Sequence, residues 1–132
     1  MSSTIRPRKI KLGRIQIEIF PTKHVEWFSS VGIIIRFNGK KLVYTGDIGS
    51  NNDFNQLRRL VEGADLLITE ASYNKPTPNH YTVEQIKKLS EEGGVAKVLV
   101  AHVRPQHEAR VKKICQKERK FIFGKDGLKL KI

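Results

Sequence analysis

The chain has 132 residues, 39% hydrophobic and 29% charged, which suits one domain with a modest core and excludes fibrous, low-complexity and wholly disordered classes. Lysine and arginine total 25 against 13 acids, a formal net charge of +12, which fits a polyanionic partner such as RNA and equally a lysine-rich surface adapted to heat. No apolar run approaches the ~20 residues of a membrane span, no signal-peptide core follows Met1, so a cytoplasmic location is expected, and the lone Cys115 excludes an internal disulfide and a cysteine-rich zinc cluster.

Residues 1–9 hold Ser, Pro and charge, and are expected to be a flexible N-terminus ahead of a single domain over 10–132. Ile10, Leu12, Ile15, Ile17 and Ile19 predict two short strands around Gly13, and 15–19 alternate as a half-buried strand does. Two β-rich runs, 31–37 and 40–45, flank Asn38-Gly39, the strongest hairpin signal in the chain. The remainder reads as alternating helix and strand. Phe54, Leu57, Leu60 and Val61 give a helical stripe over 53–62, closed by Gly63, and a short apolar strand follows at 65–69. After a Pro- and Asn-rich loop at 74–79, Thr82 and Gln85 form a capping box that starts a helix with Ile86 and Leu89 inward. Gly93-Gly94 ends it, and 95–101 is a strand. Residues 108–118 form a basic helix with Val111, Ile114 and Cys115 inward, and 121–123 and 128–132 are expected as two closing strands. The fold class is α/β, a mixed sheet with helices.

Three polar residues able to bind metal each follow an apolar strand: His24 after 15–20, Asp47 after 42–45, and His102 after 98–101. Strand ends hold side chains stiffly, and ends at one edge of a sheet can converge; neutral imidazole and carboxylate are the usual ligands of Zn2+ and similar ions. Taken singly, each histidine equally suits a hydrogen-bonded surface position, and Asp47 a turn cap. Spacing alone forces no convergence.

The order of these segments resembles the metallo-β-lactamase superfamily, in particular its ribonuclease Z-like phosphodiesterase branch. The matching text is His24 followed by Ser29-Ser30-Val31-Gly32, then Tyr44-Thr45-Gly46-Asp47, Ala64-Asp65-Leu66-Leu67-Ile68-Thr69-Glu70-Ala71, His80-Tyr81-Thr82, Val98-Leu99-Val100-Ala101-His102 and Lys125-Asp126-Gly127-Leu128. The resemblance implies half of an αββα sandwich, with a mixed sheet and helices on one face. By the same resemblance His24, Asp47 and His102 are metal ligands, with Asp47 bridging two ions that activate water for phosphoryl displacement. Zinc is the implied cofactor. Glu70 and His80 resemble the catalytic pair near the leaving group, where a carboxylate orients an imidazole for proton transfer. A solvated strand-end acid and a loop histidine helping to cap the next helix are the plain alternatives. Ribonuclease Z proper has a histidine before this glutamate, where this chain has Thr69. His107 matches nothing in the pattern.

The family's His-x-His-x-Asp-His segment is missing from this sequence, which has 4 histidines, none of them clustered. The resemblance is therefore to the C-terminal half of the fold, and a dinuclear site lacks most of its ligands. Three readings follow. The chain is a hydrolase half-domain, inactive alone and completed by an N-terminal half; or it is a non-catalytic homodimeric binding protein, with RNA as a candidate partner; or it is a structural oligomer with vestigial motifs. A lone half leaves apolar sheet residues of 15–19, 33–35 and 98–100 facing water, which predicts a homodimer packed sheet on sheet.

Overall fold

The computed structural model describes residues 7–25, 29–72 and 75–132. The expected flexible stretch 1–9 falls mostly outside these residues, although Arg8 and Lys9 already belong to the first strand. Four strands, β1 (Arg8–Leu12), β2 (Ile15–Thr22), β3 (Ser30–Phe37) and β4 (Lys40–Tyr44), form an antiparallel meander. Its β3–β4 turn is Asn38-Gly39, where φ is 50° and 74°. Two successive positive φ values match the right-handed twist of the flanking strands, and Asn and Gly tolerate them best.

From β4 onward the chain alternates: α1 (Phe54–Val61), β5 (Leu66–Glu70), α2 (Val83–Glu92), β6 (Val98–Ala101), α3 (Pro105–Lys117) and β7 (Phe121–Phe123). The strands β4 to β7 are parallel and sit in sequence order, completing a seven-stranded sheet. Three crossovers of one hand in one direction put all three helices on the same face. Asp53 caps α1 by accepting from the Gln56 amide at 3.0 Å. Thr82 and Gln85 form the expected capping box on α2, with bonds of 3.2 and 2.8 Å. The core lies between the helices and the sheet: Phe20, Ile34, Val43, Leu67, Val98 and Val100 face Leu57, Val61, Ile86, Leu89, Val111 and Cys115. Among the described residues no helix is long and apolar enough to cross a membrane.

Among the described residues the other face of the sheet carries no helix. Alternation puts two apolar rows on it. One row runs Ile19, Ile33, Tyr44, Ile68, Leu99 and Ile122 across six strands, and the second runs Ile10, Ile17, Ile35, Leu42 and Leu66. Tyr44, Ile10, Leu12, Ile15 and Phe37 are exposed there. Val98 and Val100, expected on this face, are buried on the helix side instead, as is Ile34; in each three-residue stretch the pleat sends alternate residues to opposite faces.

The second closing strand is not formed. After β7 the Gly124 amide bonds to Val100 O at 2.7 Å, and a turn from Lys125 to Leu128 redirects the chain. Leu128 and Leu130 then line a groove with Leu66, Ile68 and Leu99, and Ile132 lines another with Ile15, Ile35 and Leu42. The alternation that reads as a strand instead lays Leu128, Leu130 and Ile132 along the open sheet face, where Leu130 and Ile132 remain exposed, as Lys129 and Lys131 do.

Candidate metal centre

The site lies at the C-terminal ends of β4, β5 and β6, where a parallel sheet opens into loops. β2 runs antiparallel to β3, so its C-terminal end, followed by His24, reaches the same edge. Asn52 fastens the two outer loops together. Its side chain accepts from the Lys23 amide at 2.8 Å and donates to Lys23 O at 2.6 Å and Gly49 O at 2.8 Å. This brings His24 against Asp47. Gly46, at φ 62°, makes the turn that lifts Asp47 off the end of β4.

His24, Asp47 and His102 converge as their strand-end positions suggest. His24 Nε2 stands 3.7 Å from Asp47 Oδ2, and His102 Nδ1 makes a short contact with Asp47 Oδ1. One carboxylate thus presents a different oxygen to each imidazole. His102 has a positive φ of 53°, a region sparsely used by residues with a β-carbon, and its carbonyl accepts from Ser72 Oγ at 2.6 Å. Backbone held in such a region clusters at functional sites, where surrounding structure enforces it.

His24 has a defined tautomer. Its Nδ1 lies 2.7 Å from the carbonyl of Asn79. A carbonyl only accepts, so Nδ1 carries the proton, and in the neutral ring Nε2 keeps its lone pair. That is how a metal-binding histidine is oriented by its outer partner. Nothing in the sequence marks Asn79 for this role beyond its place beside His80.

Glu70 and His80 form a second pair. Glu70 is 2% exposed, and its Oε2 lies 2.6 Å from His80 Nδ1. Its Oε1 accepts from the Ile48 amide at 2.8 Å, so the loop carrying Asp47 rests on Glu70. Burial, with the Asp47 charge adding to it, pushes the Glu70 carboxyl up to about 8, against the Ile48 and Ser72 hydrogen bonds. Burial lowers His80, helped by His24 and opposed by Asp47. Both shifts favour the neutral pair, in which the Glu70 O–H donates to His80 Nδ1. The two pairs adjoin: the His24 and His80 rings meet edge to face with centroids 4.9 Å apart. Thr69 is buried, and its hydroxyl meets that of Thr45 at 2.7 Å, tying β4 to β5 beneath the site.

The donor set suits a borderline divalent ion: three histidines and two carboxylates, with no thiolate. An ion between His102 and Asp47 needs ~2 Å to each ligand. The His102 ring must swing outward to admit it, which its side-chain exposure of 66% allows.

Residues 4–103 match a family model described as a beta-lactamase superfamily domain. No curated protein sequence matches the chain. Among solved structures it is similar to the metallo-beta-lactamase fold protein YhfI from Bacillus subtilis, with a TM-score of 0.69 at 21% identity over 86% of this chain and 48% of that one. It is similar to human tRNase Z, short form, with a TM-score of 0.62 at 19% identity over 75% of this chain and 40% of that one. It is also similar to Zn2+-bound PqqB from Methylobacterium extorquens, with a TM-score of 0.67 at 16% identity over 95% of this chain and 53% of that one. The chain therefore spans about half the length of the solved structures it matches.

Proposed function

Because the chain belongs to the beta-lactamase superfamily, we propose that it is one half of a metal-dependent hydrolase of the phosphodiesterase type, with zinc as the cofactor. The observation that carries this reading is Asp47, whose two carboxylate oxygens face His24 and His102 separately. In the assembled enzyme His24, Asp47 and His102 hold the metal, and the remaining ligands come from outside this sequence. When bound, the metal supplies Lewis acidity and a water of lowered pKa. Glu70 and His80 supply the proton for the leaving alkoxide. As the alkoxide takes a proton from His80 Nε2, the Glu70 proton passes to Nδ1. That leaves an ionised Glu70 accepting from a neutral imidazole, one proton fewer in total, and water restores it. Solved proteins of this fold that include a tRNase Z and a diphosphatase support the phosphoester class.

The bare sheet face is the contact for the rest of the assembly, either a complementing N-terminal half or a second copy of this chain. Two apolar rows across the sheet support this, since monomers seldom expose contiguous apolar patches above a few hundred Å2. Burying even ~600 Å2 represents about 15 kcal/mol gross, before association costs. RNA remains the candidate polyanion for the +12 charge.

The experiment is calorimetric titration with a dinucleoside phosphate, with and without zinc. Zinc-dependent binding that disappears in His24→Ala is expected. Metal-independent binding that His24→Ala leaves intact contradicts the reading.

A further inference from the structure

We infer that this chain, without any complementing half, binds one divalent transition-metal ion of the zinc type between His24, Glu70 and His80. The inference rests on the metal-dependent reading above but assigns the ion a different place. In it His80 and Glu70 are ligands rather than the proton-transferring pair.

One ligand atom from each of these three residues lies within 4.8 Å of the others. Two histidines and a glutamate are a complete protein set for a four-coordinate ion with one open position. The Asp47 side offers less, because each of its oxygens has a single imidazole. Zinc bonds of ~2.0–2.2 Å put two ligands of one tetrahedral ion ~3.4 Å apart, so the widest-spaced of the three must draw together by up to about 1.4 Å. Asn79, next to His80, holds His24 Nδ1 at 2.7 Å, so the contact that joins the loops also leaves His24 Nε2 as the free donor. The two rings already adjoin, edge to face at 73° with centroids 4.9 Å apart.

Charge argues the same way. Glu70 is buried to 2% exposure beneath the loop that carries a second carboxylate, Asp47. A divalent cation supplies the countercharge that an ionised, buried carboxylate needs. Occupation of this site removes the Glu70 and His80 pair from proton transfer. The isolated chain is then held in a metal-loaded, non-hydrolytic state until outside ligands draw the ion toward Asp47.

The test is titration of the apo chain with Co2+, followed by the visible absorption of the tetrahedral ion, with zinc competition to read affinity. Wild type is compared with His102→Ala, Glu70→Gln and His80→Gln, each checked for native circular dichroism. Expected are one Co2+ per chain, affinity unchanged within about 3-fold in His102→Ala, and a loss of at least about 10-fold in Glu70→Gln and His80→Gln. Glu70→Gln keeps the shape and both hydrogen bonds, so its loss reports ligation. If instead His102→Ala abolishes binding while Glu70→Gln and His80→Gln retain it, the ion sits at Asp47; the inference is overturned and the hydrolase reading stands. If wild type binds no ion at all, the inference is overturned, while the hydrolase reading, which takes its remaining ligands from outside this sequence, stands.

Discussion

Glu70→Gln tests the charge state of the site. The carboxyl sits under the Asp47 loop, accepts from the Ile48 amide and shares a proton with His80. Glutamine reproduces the protonated form: its oxygen accepts from Ile48 and its amide donates to His80 Nδ1. Folding raises this pKa from 4.5 to about 8, so between those values the unfolded chain has lost a proton that the folded chain keeps. The stabilising contribution is fully present below pH 4.5 and is lost as pH rises through about 8. At ~1.36 kcal/mol per unit the ceiling is roughly 5 kcal/mol, and water penetration reduces the expected value to about 2–5 kcal/mol. The lowered His80 pKa has the opposite slope at lower pH, but that slope is common to both proteins and cancels in their difference. The assay is urea unfolding of wild type and variant, in chelator, from about pH 4.5 to about pH 8.5. The stability of wild type relative to the variant should fall by the stated amount over this window. A flat difference, or a wild type that gains on the variant as pH rises, would falsify the neutral-pair assignment.

Three further outcomes follow from the same structure. The zinc-loaded chain alone should hydrolyse a chromogenic phosphodiester at the background rate; turnover that vanishes in Asp47→Ala and returns with added zinc would show that the ligands present in this chain suffice. At micromolar concentration the chain should sediment as a dimer, and Ile33→Glu, in the middle of the bare sheet face, should convert it to monomer; a well-folded wild-type monomer removes the second copy as the occupant of that face. Thr82→Ala removes one half of the capping box on α2 and should cost about 1 kcal/mol in urea unfolding without changing metal affinity; a cost near zero would mean the cap is replaced by solvent.

Local chemistry made much of the fold legible. Asn38-Gly39, the Thr82 and Gln85 box and the 15–19 alternation each reveal an element because the physical cause lies within a few residues. Where the cause is distant, the sequence is silent. The run from Val98 to Ala101 is apolar throughout, so its pattern cannot say which residues face the helices, and the helix side took Val98 and Val100. Leu128, Leu130 and Ile132 alternate like a strand, yet the turn after Gly124 carries them onto the open face. At the site, motif order singles out His24, Asp47, Glu70, His80 and His102, all of which meet at one edge. Their coupling was not readable. The His24 tautomer depends on a carbonyl 55 residues away, and the Glu70 proton on burial that only the assembled core creates.

His24 is a proposed ligand in both metal arrangements, the one at Asp47 and the one at Glu70 and His80, so its removal tests the metal centre with the least ambiguity. Zinc content should be measured on chain purified without chelator and dialysed against trace zinc, for wild type and His24→Ala. Bound zinc in wild type and its loss in the folded variant are the expected results. Wild type free of zinc, or a variant that retains the wild-type content, contradicts a metal centre at this edge of the sheet.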